Sequence, residues 1–166
     1  TCPRWMKTTE TLSGSYDSWT GGRLRPARRS VYAQYFVKFI QAMQAEGISI
    51  YAVTPQNEPL NKGNCASLYM PWEDEAPFVR VLAGAFHKAG LTTKIYLYDH
   101  NYDYSGISSQ NDYPVHIYNQ LGSNFDGADL IAGAAYHDYG GTSTELSDIY
   151  NQAPTKEIIF SESSIG

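Results

Sequence analysis

The chain has 166 residues, a net charge of −5 and 42% hydrophobic residues, which is enough apolar material for one domain with a sizeable core and excludes wholesale disorder. Its acidic balance argues against a nucleic-acid binder, and no apolar run approaches bilayer length. Tyrosine is abundant, with 14 copies beside 6 Phe and 3 Trp, and aromatic faces on loops suit sugar rings as well as packing.

Thr1 to Lys7 reads as the tail of a strand entering a loop, with Trp5 exposed, lining a pocket or in the core. The chain starts without Met and stops just after an apolar run, so it is expected to be a piece of a longer polypeptide. Residues 11–29 read as loop, carrying a small basic cluster of Arg23, Arg25, Arg28 and Arg29. A solvated loop or an anion site would explain that cluster. Ser30 is a plausible cap for an amphipathic helix with Tyr32, Tyr35, Phe36, Phe39, Ile40 and Met43 on its apolar face, closed by Gly47.

Ile50 to Val53 follows as a short buried strand. Pro55 ends it, having no N–H to give the ladder, and Asn57-Glu58-Pro59 comes at once. A carboxylate held between two prolines just past a strand end stands where parallel α/β folds place ligands. The second helix starts between Trp72 and Ala76, with Glu73, Asp74 and Glu75 complementing its dipole and Val79, Leu82 and Phe86 on its buried face. Lys94 to Tyr98 is the next strand, ending in Asp99-His100-Asn101. A weaker helix over 112–121, a small-residue strand over 130–136 ending in His137-Asp138-Tyr139, a short helix over 144–151 and a strand over 157–160 complete the chain, the last running into Ser161-Glu162.

This alternation implies parallel strands joined by crossovers. No Gly-x-Gly-x-x-Gly follows any strand and no phosphate loop is present, which leaves dinucleotide and nucleotide folds without their fingerprints. Four successive strands ending in polar side chains suit part of a (β/α)8 TIM barrel, an α/β fold whose site gathers from many strand ends. Glu58 and Glu162 end the first and last of these strands. Two facing carboxylates are what glycosidic cleavage needs, one to protonate the leaving oxygen and one to attack or stabilise the anomeric carbon. Cys2 and Cys65 are too few for a structural zinc site and are either two thiols or one disulfide. The spacings of Asp99, His100, Asp103, His137 and Asp138 fit no standard metal pattern, and no cofactor is expected.

Trp5-Met6-Lys7-Thr8, Tyr35-Phe36-Val37-Lys38-Phe39, Ala52-Val53-Thr54-Pro55-Gln56-Asn57-Glu58-Pro59 and Phe160-Ser161-Glu162-Ser163-Ser164, taken in order, resemble glycoside hydrolase family 30, which holds glucosylceramidases and endo-β-1,6-glucanases. The resemblance runs over nearly the whole chain. It implies a partial (β/α)8 catalytic domain over 1–166, from the end of barrel strand 3 through strand 7, with the remaining strands and an attached β-sandwich elsewhere. It also implies a retaining β-glycosidase, acting on β-1,6-glucan or a β-glucoside by double displacement. Glu58 takes the general acid/base role and Glu162 that of nucleophile. Asn57 would bind the sugar 2-hydroxyl, Tyr139 would position the nucleophile with His137 in the pocket wall, Trp5 would line the sugar subsite, and Asp99 and His100 would line the pocket. Its partner is a carbohydrate, and secretion to an extracellular or periplasmic site is expected because polymeric glucans lie outside cells. The alternative is a non-catalytic carbohydrate-binding relative, or a piece that is inactive alone because its outer strands have open edges.

Overall fold

The computed structural model describes residues 1–8, 21–63, 66–103 and 106–164. Four parallel strands form one sheet in chain order: β1 (Ala52–Val53), β2 (Lys94–Asn101), β3 (Ile131–His137) and β4 (Glu157–Glu162). Helices precede each of them: α1 (Arg29–Ala45), α2 (Trp72–Lys88), α3 (Tyr113–Leu121) and α4 (Thr144–Gln152). Strands in simple chain order with a helix between each pair put every strand C-terminus on the same edge, which is where Glu58 and Glu162 lie.

The two central strands are buried along almost their whole length, while β4 is largely exposed. Gly133 makes the β3–β4 approach possible: a Cβ there would stand 1.8 Å from the Glu157 carbonyl oxygen. Outside the sheet, Phe78, Val79, Leu82 and Phe86 of α2 are fully buried, and Tyr32 of α1 stacks on Phe78 at 5.1 Å between ring centroids. The acidic first turn of α2 and the long apolar face behind it follow directly from the amphipathic spacing. No helix among the described residues is long and apolar enough to cross a membrane.

Several elements differ from the sequence reading. Residues 1–7 do not form a strand tail: Pro3 leads into a 3-10 turn over Arg4–Met6, and Lys7 makes a single antiparallel bridge to Leu24. Helix α1 begins at Arg29 rather than after Ser30, because Pro26 opens a 3-10 turn that runs straight into it. Its buried face is Tyr32, Ala33, Val37 and Ile40, whereas Tyr35 and Phe39 are 57% and 45% exposed. The aromatic residues dominate the periodicity by size, but α2 packs against the narrower stripe that Ala33 opens. The first strand shortens to two residues, and β2 lengthens to include Asp99, His100 and Asn101. The arginine cluster has structural partners: Arg23 pairs with Asp74 at 2.5 Å, Arg25 donates to the Lys7 carbonyl, and Arg28 lies over the Trp5 ring. Cys2 is buried, and Cys65 lies outside the described residues.

Candidate active site

The site begins with a defect in β2. Tyr98 and Asp99 both have positive φ, 72° and 56°, and the β2–β3 register slips between Tyr98 and His100. This is a bulge built without glycine, a conformation non-glycine residues adopt only where surrounding contacts hold it. Its effect is to turn the Asp99 side chain toward the neighbouring strand ends. Asp99 accepts hydrogen bonds from Thr54 Oγ1 at 2.6 Å and Ser161 Oγ at 2.7 Å, and its Oδ1 lies 3.1 Å from His137 Nε2. Burial opposes its ionisation, but these donors outweigh burial and hold the carboxyl below its usual range.

His137, fully buried at the end of β3, stands at the centre. Its Nδ1 is 3.5 Å from Glu58 Oε1, and its Nε2 is 3.7 Å from Glu162 Oε2. Burial alone would disfavour the imidazolium; Asp99, Glu162 and Glu58 together reverse that and raise the His137 pKa. The two glutamates therefore share one imidazole, although their strands are separated by two others in the sheet order. His100, one residue beyond the bulge, is also buried; desolvation pushes its pKa down to about 4, so it stays neutral and accepts the Asn101 N–H on Nδ1.

Glu58 itself is strained, with φ of 45°. Three contacts hold it: its N–H donates to the Asp99 carbonyl at 2.9 Å, Asn61 Nδ2 donates to its Oε2 at 2.9 Å, and its carbonyl accepts from Asn61 N–H at 3.0 Å. The flanking Pro55 and Pro59 are buried. Glu162 is 45% exposed at the side chain, and Tyr139 hydrogen-bonds it; desolvation and then that bond raise the phenol's pKa.

Six of the eight residues singled out from the sequence gather here: Glu58, Asp99, His100, His137, Tyr139 and Glu162. His137 is the hub of the cluster and not merely part of its wall. Asn57 is exposed, and its carbonyl accepts from the Gln56 amide. Trp5 is 54% exposed with Arg28 at 5.5 Å from its ring centroid, so it is not core. Sequence reasoning missed Thr54, Asn61 and the role of Ser161. Asn61 was visible in principle as the residue closing a turn three positions after Glu58. No group of His, Cys, Asp and Glu among the described residues is arranged to hold a metal ion.

A family model described as "Glycosyl hydrolase family 30 TIM-barrel domain" matches residues 1–166. The chain belongs to glycosyl hydrolase family 30. Its four parallel strands are accordingly part of that family's TIM barrel. Among solved structures it is similar to the endo-beta1,6-glucanase BT3312, with 54% identity and a TM-score of 0.90 over 100% of this chain and 36% of that one. SrfJ from Salmonella typhimurium is 25% identical with a TM-score of 0.76, over 98% of this chain and 34% of that one. Among curated proteins, an endo-1,6-beta-D-glucanase of Neurospora crassa is 33% identical over 164 residues, 96% of this chain and 31% of the relative. A putative glucosylceramidase 1 of Caenorhabditis elegans is 25% identical over 99% of this chain and 31% of its own length. The chain thus spans about a third of the relatives it matches.

Proposed function

We propose that the protein carrying this chain is a retaining β-glycoside hydrolase acting on β-1,6-linked glucan. The observation that carries the proposal is the shared imidazole: Glu58 and Glu162, from the ends of different strands, both approach His137. The similarity to endo-1,6-β-glucanases at 54% and 33% identity supports the choice of substrate over a glucosylceramide.

In this reading Glu162, ionised and hydrogen-bonded by Tyr139, attacks the anomeric carbon and forms a glycosyl ester. Glu58 delivers its proton to the departing glucosyl oxygen. Once Glu162 is esterified, Glu58 takes a proton from the incoming water, which displaces Glu162 and restores the original anomeric configuration. His137, anchored by Asp99 and with its pKa raised by the surrounding carboxylates, contacts both Glu58 and Glu162 and holds them in register. Asn57 would contact the sugar 2-hydroxyl, and Trp5 a sugar face. Because its polymeric substrate lies outside cells, we place its action in an extracellular or periplasmic compartment.

The test is product stereochemistry in the full-length protein. Proton NMR of a β-1,6-gluco-oligosaccharide digest should show the β-anomer first, with mutarotation to α later. An α-anomer at the earliest time points, or unchanged hydrolysis in Glu162→Gln, contradicts the reading.

A further inference from the structure

Glu75 follows Glu73 and Asp74 in the acidic first turn of α2, yet it alone among the three is wholly buried. One of its oxygens, Oε1, lies 3.2 Å from the backbone N of Tyr98, the first residue of the bulge. The other, Oε2, lies 2.7 Å from the Tyr113 hydroxyl of α3. That hydroxyl is also 2.6 Å from the Met70 carbonyl oxygen. A phenol has one hydrogen and cannot donate to both acceptors. The arrangement is fully satisfied when Glu75 carries a proton: Glu75 Oε2–H donates to Tyr113, Tyr113 donates to Met70, and Oε1 accepts the Tyr98 N–H.

We infer that Glu75 is a positioning residue of the active site, which as a neutral acid clamps the Tyr98–Asp99 bulge and through it orients both Glu58 and His137. The route is short. The bulge N–H of Tyr98 donates to Glu75 Oε1. The next residue, Asp99, accepts the Glu58 N–H on its carbonyl and binds His137 through its carboxylate. One helix residue therefore fixes the backbone that sets the proton donor and the side chain that sets the hub.

The surroundings favour the neutral form. Desolvation, partly offset by Tyr113 and the Tyr98 N–H and reinforced by the negative Asp99, brings the Glu75 pKa to about 7. The ionisable side chains acting on it are Tyr113 of α3 and Asp99 of β2, neither of them a cation, and its own charge raises Tyr118 of α3. Isolated surface carboxylates at a helix start would complement the dipole; a wholly buried one with both oxygens engaged does something else.

This inference rests on the proposed hydrolase for its kinetic arm only. The experiment uses the full-length protein and compares Glu75→Gln, Glu75→Leu and Glu75→Asp by two readouts. The first is the His137 titration midpoint from imidazole NMR, which needs no catalysis. The second is kcat/KM on a β-1,6-gluco-oligosaccharide. Gln reproduces the neutral acid's acceptor and donor, so E75Q should keep the His137 midpoint and kcat/KM within about twofold. Leu removes the carboxyl acceptor of the Tyr98 N–H and the partner of Tyr113, so E75L should lower the His137 midpoint and cost about 10- to 100-fold in kcat/KM. Asp is one methylene too short to span both partners, and E75D should change both readouts in the same direction; it decides the matter if E75L does not fold. The inference is overturned if E75D or a folded E75L leaves both readouts at wild-type values, or if E75Q shifts His137 as Leu or Asp does. If the wild-type protein hydrolyses no β-glucan, the hydrolase reading fails while the NMR arm still judges the clamp.

Discussion

Replacing Asp99 by Asn keeps the shape of the side chain and removes its charge. Three donors converge on this carboxylate, from Thr54, Ser161 and His137, and the last of them carries a raised pKa because Asp99 and the two glutamates face it. An amide offers one acceptor oxygen in place of two and no charge opposite the imidazolium. A hydrogen bond to a charged group contributes about 1.5–3 kcal/mol, so D99N should lose roughly 10- to 100-fold in kcat/KM when His137 no longer holds Glu58 and Glu162 in register.

The pH dependence gives a second signature. Asp99 has a folded-state pKa below its ordinary 3.8, so its contribution to stability is present above that value and is lost as pH falls through the folded one. His137 is raised above its ordinary 6.5, so its contribution is complete below 6.5 and is lost as pH rises through the folded value. The pair therefore stabilises the fold most between the two ordinary values. Chemical unfolding of wild type and D99N from pH 3 to 9 should show the largest difference in that window, narrowing on both sides. A D99N protein with an unchanged stability profile and kcat/KM within twofold of wild type would refute the assignment of Asp99 as the anchor of the hub.

Further outcomes follow from other residues. Because burial raises Glu75 from 4.5 to about 7, the fold favours its protonated form, and stability should decline as pH rises from about 4.5 to about 7; Glu75→Gln should flatten that segment in denaturant titrations. Gly133→Ala places a Cβ against the Glu157 carbonyl oxygen and should destabilise by at least about 2 kcal/mol, read as a lower Tm or loss of soluble protein. Glu58→Gln should lower kcat about 10²- to 10⁴-fold on an unactivated glucan, as loss of a general acid does. With an activated aryl β-glucoside, added azide should restore turnover and give the β-glycosyl azide; no rescue would count against Glu58 as acid/base.

The strand ends were readable from the sequence because parallel-sheet chemistry repeats itself: an apolar run, then polar residues, four times over. Asn57-Glu58-Pro59 and Ser161-Glu162 were conspicuous for that reason, and family 30 was legible in the same stretches. What was hidden was three-dimensional. The bulge at Tyr98–Asp99 carries no glycine or proline, so nothing local announces positive φ there. Asp99 and His100 consequently read as residues beyond a strand when they lie within it. Glu75 stands in the same acidic turn as Glu73, and only burial against β2 and α3 separates a clamp from a dipole-complementing surface acid. Tyr35 and Phe39 misled by size: on α1 the smaller Ala33 and Val37 face the core. His137 looked like one polar residue among several, because its place between two glutamates far apart in the chain depends on the sheet order and no single segment encodes that.

Covalent trapping addresses the central claim, that Glu162 attacks sugar while Glu58 serves as its acid/base partner. The full-length protein is treated with 2-deoxy-2-fluoro-β-glucosyl fluoride, whose electron-poor ring slows release of the ester, and the labelled peptide is sequenced by mass spectrometry. The account predicts one fluoroglucosyl adduct per active site, carried on Glu162. An adduct on Glu58, or on any residue outside the cluster around His137, would contradict it.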